Sequence, residues 1–325
     1  MLENSILFIG IGTNHYKVNE IEEVNNNLAS VRTHYGPDSC FYKAYRNIYA
    51  FGVTDVYILN LDAWEDLKEH EELLKDLGFD YICPLDLYLN DSYYDDFYQK
   101  TLFYSQLLLM LLHRTISTVI MTGTHATAYE DLDSFLEEER NRIEAATIRF
   151  ANLKRENIIY VANNLNDYEY ANAVLAAVLS LTDYGEYPNA SFGEAYFDID
   201  YSDVTNRLVY FKNNELTGTT IENLVNFSDD YATRLVPVYK IIKYFYYHKP
   251  DHEQFIGKTY TEYRKLKIQE KLEEFLDNLV DWIIYKYQIL SVTDVSTEIG
   301  TVDVILRYLI WPKFTTEAYK MEMNL

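Results

Sequence analysis

Cysteine is nearly absent: Cys40 and Cys83 are the only two in 325 residues, and their spacing suggests no disulfide framework. They read as reduced thiols of a protein made in a cytosol. Six prolines and eleven glycines are too few for long flexible linkers or a collagen-like segment. Long hydrophobic runs are also missing. One of the longer ones, Leu107 to Leu112, is far short of the roughly 20 residues a membrane helix needs. The opening MLENSILFIG has neither the basic n-region nor the cleavage site of a signal peptide. Positive charge is scarce, with 28 Lys and Arg against 51 Asp and Glu, a net of −23. A field of that sign repels nucleic-acid backbones and anionic bilayers. No nucleic-acid partner and no membrane insertion are therefore expected.

What is present is globular. Apolar residues make up 48% of the chain and charged residues 24%, which excludes wholesale disorder. The length suits one large domain or two ordinary ones. Tyrosine is abundant, with 32 copies beside 16 Phe. That fits extensive protein interfaces, and it fits a coding bias equally well. The acidic excess is uneven: residues 1–236 carry −22 and residues 237–325 carry −1. A near-neutral region beside an acidic one is expected if the former is buried against partners. Two domains of different surface charge would look the same.

Periodicity gives the elements. Ser5 to Ile11 (SILFIGI), Val56 to Leu61 (VYILNL), Phe79 to Cys83, Ser117 to Thr122 and Asn157 to Ala162 are apolar runs that predict buried strands. Between them, helical spacing covers Ile21–Val31, Ser39–Phe51, Trp64–Leu77, Asp95–His113, Asp133–Leu153 and Tyr168–Leu181. Strand and helix alternating this regularly imply βαβ units and a mostly parallel sheet. After Gly185 come short strands at Phe192–Asp200 and Arg207–Phe211, then helices at Val236–Tyr247 and Glu262–Tyr287. The tail predicts strands at Ile289–Ser296, Thr301–Ile310 and Ala318–Met323, with Pro312 allowing only an edge position. The expected fold is a three-layer α/β domain over 1–236 followed by an α+β domain over 237–325.

Chemical motifs are weak. Gly10-Ile11-Gly12 follows a buried strand, but His15 stands where a dinucleotide fingerprint needs its third glycine. His248 and His252 are four apart, with Glu253 adjacent, yet Pro250 between them forbids a regular helix and favours a polar turn. His113 closes an apolar helix, where its charge meets the helix dipole. His125, in Thr122-Gly123-Thr124-His125, follows a strand at its carboxyl end and is the best enzymatic candidate, with Asp86 or Asn163 as partner. No Gly-x-Ser-x-Gly elbow accompanies it. The acidic runs at Glu137-Glu138-Glu139, Asp95-Asp96 and Asp229-Asp230 lack calcium-loop spacing and read as solvated faces. The residues present no persuasive catalytic constellation.

The order of segments resembles contractile phage tail sheath proteins. Phe8 to Gly12, the Tyr35-Gly36 turn with Ser39, Gly52, and Val56 to Leu59 follow that family's opening pattern. FDYICPLD through ANAVLAAVLS resembles its subtilisin-like α/β domain, which lacks catalytic function, and LVPVYKIIKYFYY to KMEMNL its C-terminal domain. The resemblance divides the first part into 1–61, sheath-like, and 62–236. Two features depart from it: Asn60 stands where an arginine is expected, and the first core strand begins by Ser5 where the family has an extended arm. The resemblance implies a structural subunit of a virion tail, assembled in the host cytoplasm, without catalysis or cofactor. Its implied partners are copies of itself in stacked hexameric rings, the tail tube protein, and baseplate or neck proteins. A sheath-related adaptor and an enzyme using His125 are the alternatives. The interface residues expected on this basis are Trp311, Phe314, Tyr319 and Met321 in the last strand region, with Lys240, Lys243, Arg264, Lys265 and Lys267 as basic contacts. A solvated helix face is the equal alternative for the basic set.

Overall fold

The computed structural model describes residues 2–24, 26–87, 107–108, 112, 115–149, 155–188, 193–200, 207–215, 218–248, 250, 261–296 and 302–324. The chain forms two compact units, Met1–Thr182 with Pro188–Asp229, and Asp183–Tyr187 with Asp230–Leu325.

The first unit is built on β1 (Leu2–Gly10), β2 (Ile21–Glu23), β3 (Val56–Asn60), β4 (Phe79–Pro84), β5 (Thr118–Thr122), β6 (Ile158–Val161), β7 (Leu208–Asn214) and β8 (Gly218–Glu222). They form one sheet in the order β2-β3-β1-β4-β5-β6-β7-β8. The five inner pairings are parallel and the two outermost antiparallel. Parallel strands need cover on both faces, and alternate side chains show it. Leu7, Ile9, Ile82, Val119 and Met121 join a core with Leu74 of α3 (Glu71–Leu77) and Phe135 and Ile143 of α4 (Leu132–Arg149). Tyr81 and Cys83 point the other way, to the Leu179 and Asn172 carbonyls of α5 (Ala171–Leu181). That second face also carries α1 (Leu28–Tyr35) and α2 (Cys40–Tyr49), the latter started by Ser39, whose hydroxyl accepts from the Tyr42 amide at 3.1 Å.

Several elements differ from expectation. Ile21–Glu23 is a strand paired with β3, and the helix starts only after Asn27, whose side chain caps it. The apolar spacing of Ile21 and Val24 suits a short edge strand as well as a helix turn. Trp64–His70 is a 3-10 helix preceding α3. The expected strand over Phe192–Asp200 reduces, among its described residues, to one bridge between Leu165 and Ala195. β8 was not anticipated. The helix expected over Asp95–His113 falls almost entirely outside the described residues.

The second unit contains α6 (Val236–Tyr247), α7 (Glu262–Asp277) and an antiparallel sheet of β9 (Ile284–Ser296), β10 (Val302–Pro312) and β11 (Tyr319–Asn324), ordered β11-β10-β9. Every second residue of β10, from Val304 to Ile310, is buried in a core with Ile241, Phe245, Leu272, Leu276 and Met321. α7 stops ten residues before the expected Tyr287. Asn278 caps it, Asp281 turns the chain at φ 66, and the β-branched and aromatic run from Ile283 takes up strand. Pro312 was expected to force an edge position. It instead ends the central strand, beside a register shift where no regular ladder bond is required of it.

Gly36 sits at φ 97, where a Cβ would collide with the Thr13 hydroxyl that donates to the Tyr35 carbonyl at 2.8 Å. Gly36→Ala is expected to destabilise the first unit by about 1–3 kcal/mol, from a strained left-handed residue and a displaced hydrogen bond. Urea unfolding of wild type and variant reads this directly.

Candidate interaction surface

The carboxyl ends of the parallel strands, where α/β folds place chemistry, are filled by internal hydrogen bonds. His125 Nε2–H donates to the Leu165 carbonyl at 2.8 Å, while Nδ1 faces the Thr127 hydroxyl at 2.8 Å and accepts from its amide at 3.3 Å. Both ring nitrogens are thus engaged, Nδ1 in capping the short turn that follows and Nε2 on the distant Leu165 carbonyl. Asp86 accepts from the Tyr170 hydroxyl at 2.8 Å. Asn163 is 1% exposed; its amide donates to the Gly123 and Glu169 carbonyls and its oxygen accepts from the Ala171 amide. None of these bonds joins the three candidates to one another. At the Gly10–Gly12 loop, the Gly12 amide that a phosphate would need donates to Asn60 Oδ1 at 2.8 Å, and Asn60 in turn donates to the Tyr16 carbonyl at 2.9 Å. Asn60, in the place where the resemblance expected arginine, therefore closes this loop. Cys40 and Cys83 are buried, and burial pushes both thiols well above their ordinary range, which leaves them unreactive.

His248 stacks on Tyr244 at 4.2 Å, while His252, Glu253, His113 and the Asp95-Asp96 run lie outside the described residues. Among the described residues no three His, Cys, Asp or Glu side chains cluster to hold a metal.

Glu139 corrects one expectation. It is fully buried rather than solvated, paired with Arg142 Nη1 at 2.7 Å and accepting from the Tyr160 hydroxyl at 3.2 Å. Arg142 also donates to Thr124 and Tyr129 at 3.0 and 3.1 Å. The cluster closes over Gly123, where a Cβ would stand 2.6 Å from the Tyr160 hydroxyl. Burial raises the Glu139 carboxyl above the ordinary range, and Arg142 offsets part of that rise.

The second unit offers a different kind of surface. β9 runs for 13 residues and pairs with β10 on one side only among the described residues, leaving a long open edge. Tyr285, Leu290 and Val295 on that strand are 58%, 45% and 47% exposed. The opposite edge, β11, is shorter and carries Lys320, Glu322 and Asn324 outward. Glu322 pairs with Arg307 at 2.7 Å, and Lys286 lies 4.4 Å from the Trp311 ring. The Asp277 carboxylate accepts from the Tyr287 hydroxyl at 2.7 Å, and burial together with that bond pushes the phenol up to about 12.

The expected interface residues are distributed unevenly over this unit. Trp311, Phe314 and Tyr319 are half-buried, and Met321 is a core residue. Lys265 pairs with Asp294 at 2.9 Å, Lys267 pairs with Glu270, and Arg264 is half-buried on the same helix. Lys240 and Lys243 are only 5% and 2% exposed, so the folded chain does not present them as surface contacts. Lys240 instead lies 5.2 Å from the Tyr184 ring centroid. Sequence reading missed Tyr285 because it extended α7 to Tyr287; the signal was the run of β-branched and aromatic residues starting at Ile283.

No family model matches the chain, and no curated protein matches it in sequence. Solved structures do match. A chain of the anti-feeding prophage (AFP) baseplate aligns with TM-score 0.68 at 12% identity, over 98% of this chain and 93% of that one. The AFP helical sheath in its contracted state aligns with TM-score 0.64 at 12% identity, covering 96% and 90%. The sheath tail protein of Desulfitobacterium hafniense aligns with TM-score 0.61 at 8% identity, covering 99% and 96%. At such identities the likeness is one of fold. The chain has the fold of contractile-sheath proteins, and the resemblance read from its sequence is borne out at that level.

Arg142→Met is expected to cost about 3–5 kcal/mol, because it strands a buried carboxylate. A carboxyl raised in the folded state stabilises below its unfolded pKa and loses that contribution as pH rises through the folded value. The penalty of Arg142→Met is therefore larger at pH 8 than at pH 5, as urea unfolding at the two pH values would show.

Proposed function

We propose that this chain is a structural, non-catalytic subunit of a contractile machine, a phage tail sheath or the sheath of a related injection system. It packs with copies of itself in stacked hexameric rings around an inner tube and meets the baseplate at one end. The observation that carries this reading is the open edge of β9 in a chain with a sheath fold. A 13-residue edge strand, paired on one side only among the described residues and carrying exposed Tyr285, Leu290 and Val295, is a hazard in a monomer and a docking rail in an assembly. A strand from a neighbouring copy adds to it by main-chain hydrogen bonds, and side chains set the register.

On this reading the first unit is a rigid α/β scaffold of subtilisin-like arrangement, and the acidic 1–236 region faces outward. The 237–325 region joins subunit to subunit and faces the tube protein. Arg264, Lys265 and Lys267 supply basic contacts beside Trp311, Phe314 and Tyr319, while Lys240, Lys243 and Met321 support that surface from within. Contraction is a change between two packings of rigid subunits, kept connected by the shared strands. The protein is assembled in the cytoplasm of the producing cell and ends in the tail or injection particle. Among the described residues no helix is long and apolar enough to cross a membrane. A second reading, a sheath-like adaptor next to the baseplate, is favoured by the likeness to the AFP baseplate chain.

Deleting residues 315–325 tests strand exchange poorly, because Met321 and Met323 belong to the core. The double variant Tyr285→Lys with Leu290→Lys changes only exposed positions on β9. Its stability should stay within about 0.5 kcal/mol of wild type, while assembly, followed by sedimentation, is lost. Assembly equal to wild type would exclude the β9 edge as the joint.

A further inference from the structure

The outward face of the second unit's sheet is apolar at its centre and basic at its sides. Leu309 and Trp311 of the central strand β10 alternate with the core residues Tyr308 and Ile310, so they lie on the face opposite that core. Both are half-buried. Lys286 of β9 stands opposite Trp311, and Lys320 of β11 stands opposite Leu309; both lysines are exposed. Arg307, on the same face, is already paired with Glu322 at 2.7 Å. Lys286 and Lys320 have no ion-pair partner among the described residues. The first unit carries the opposite pattern. Residues 64–77 hold six acids and two lysines. Leu73 of α3 is 39% exposed, among exposed Glu69, Glu72 and Asp76. These three carboxylates also have no ion-pair partner among the described residues, whereas Glu71 is taken by Lys75.

We propose that the Leu73 patch of one copy docks on the Leu309–Trp311 face of the next. The inference rests on the assembly proposed above and adds to the shared β9 edge a second contact, made between faces. The spans agree. Lys286 and Lys320 are two strand spacings apart and two residues out of step, which separates their main chains by about 12 Å. Glu69 and Asp76 are seven residues apart along the Trp64–His70 turn and α3, a rise of about 11 Å. Two carboxylates therefore reach two lysines while Leu73 seats on Leu309 and Trp311. An apolar centre with Trp, ringed by opposite charges, is the arrangement that gives an interface affinity and register. Copies of a chain with net charge −23 repel one another, and this pairing sets uncompensated lysines against uncompensated acids. The two patches differ, so the contact is heterologous. Each copy uses both, and the series closes into a ring or continues as a helix.

Cross-linking of full-length chains tests it. One chain carries Leu73→Cys and the other Gln288→Cys, opposite Leu309 on the sheet; the native thiols are buried. A short bismaleimide is expected to join the two as a covalent dimer in the mixture and in neither chain alone. Lys286→Glu with Lys320→Glu in the second chain should cut that yield at least tenfold. Glu69→Lys with Asp76→Lys in the first chain should then return it to within threefold of the starting value. All six substituted positions are exposed, so the fold is expected to stand. Absence of the dimer, a yield indifferent to the reversed charges, or failure of the swapped pair to recover it overturns the docking. The readout needs no rings or tubes. Dimer without tubes would contradict the sheath reading alone, and tubes without dimer would contradict the docking alone.

Discussion

Everything in the first unit follows from β1 being buried on both faces and paired on both edges. Ile6, Leu7, Phe8 and Ile9 are all 0% exposed, with β3 on one side and β4 on the other. Parallel neighbours cannot be joined by tight turns, so helices must cross over, and the two faces they cover become the outer layers. The strand ends gather along one rim as a consequence. In many α/β proteins that rim is where chemistry happens. Here it is occupied by structural hydrogen bonds: Asn60 holds the Gly12 amide, Tyr170 holds Asp86, and Asn163 starts α5. The buried Glu139–Arg142 pair adds a rigid charged brace behind Gly123.

The second unit solves a different problem. Its antiparallel sheet has one face packed on α6 and α7, and Arg307, Leu309 and Trp311 of the opposite face remain only partly covered. Among the described residues no closure removes the edges of β9 and β11. β11 is short and carries charge, as protected edges do. β9 is long and carries exposed apolar side chains, as edges awaiting a partner do. The asymmetry between these two edges, within one three-stranded sheet, is the physical basis of the assembly reading.

Much of this was legible in the sequence where the determinant is local. The continuous apolar runs of SILFIGI, VYILNL and NIIYVA announce strands buried on both sides, and the Val236–Tyr247 helix has the bounds its spacing gives. What was not legible depends on distant partners. Glu139 looks solvated inside Glu137-Glu138-Glu139 until Arg142, Tyr160 and Gly123 close around it. Lys240 and Lys243 look like a basic helix face, yet they are buried. The end of α7 was misplaced because helical spacing persists through Tyr287, and the turn at Asp281 with the pairing to β10 overrides it. His125 occupies the position an enzyme would use, and only the Leu165 carbonyl, 40 residues on, reveals that its ring is already committed.

The central claim is that copies of this chain join through the second unit's open sheet. Negative-stain electron microscopy of the purified full-length protein, over a rising concentration series, tests it most directly. The account predicts stacked rings or tubes at high concentration, with single rings marking the adaptor role. Monodisperse single chains at every concentration would contradict it.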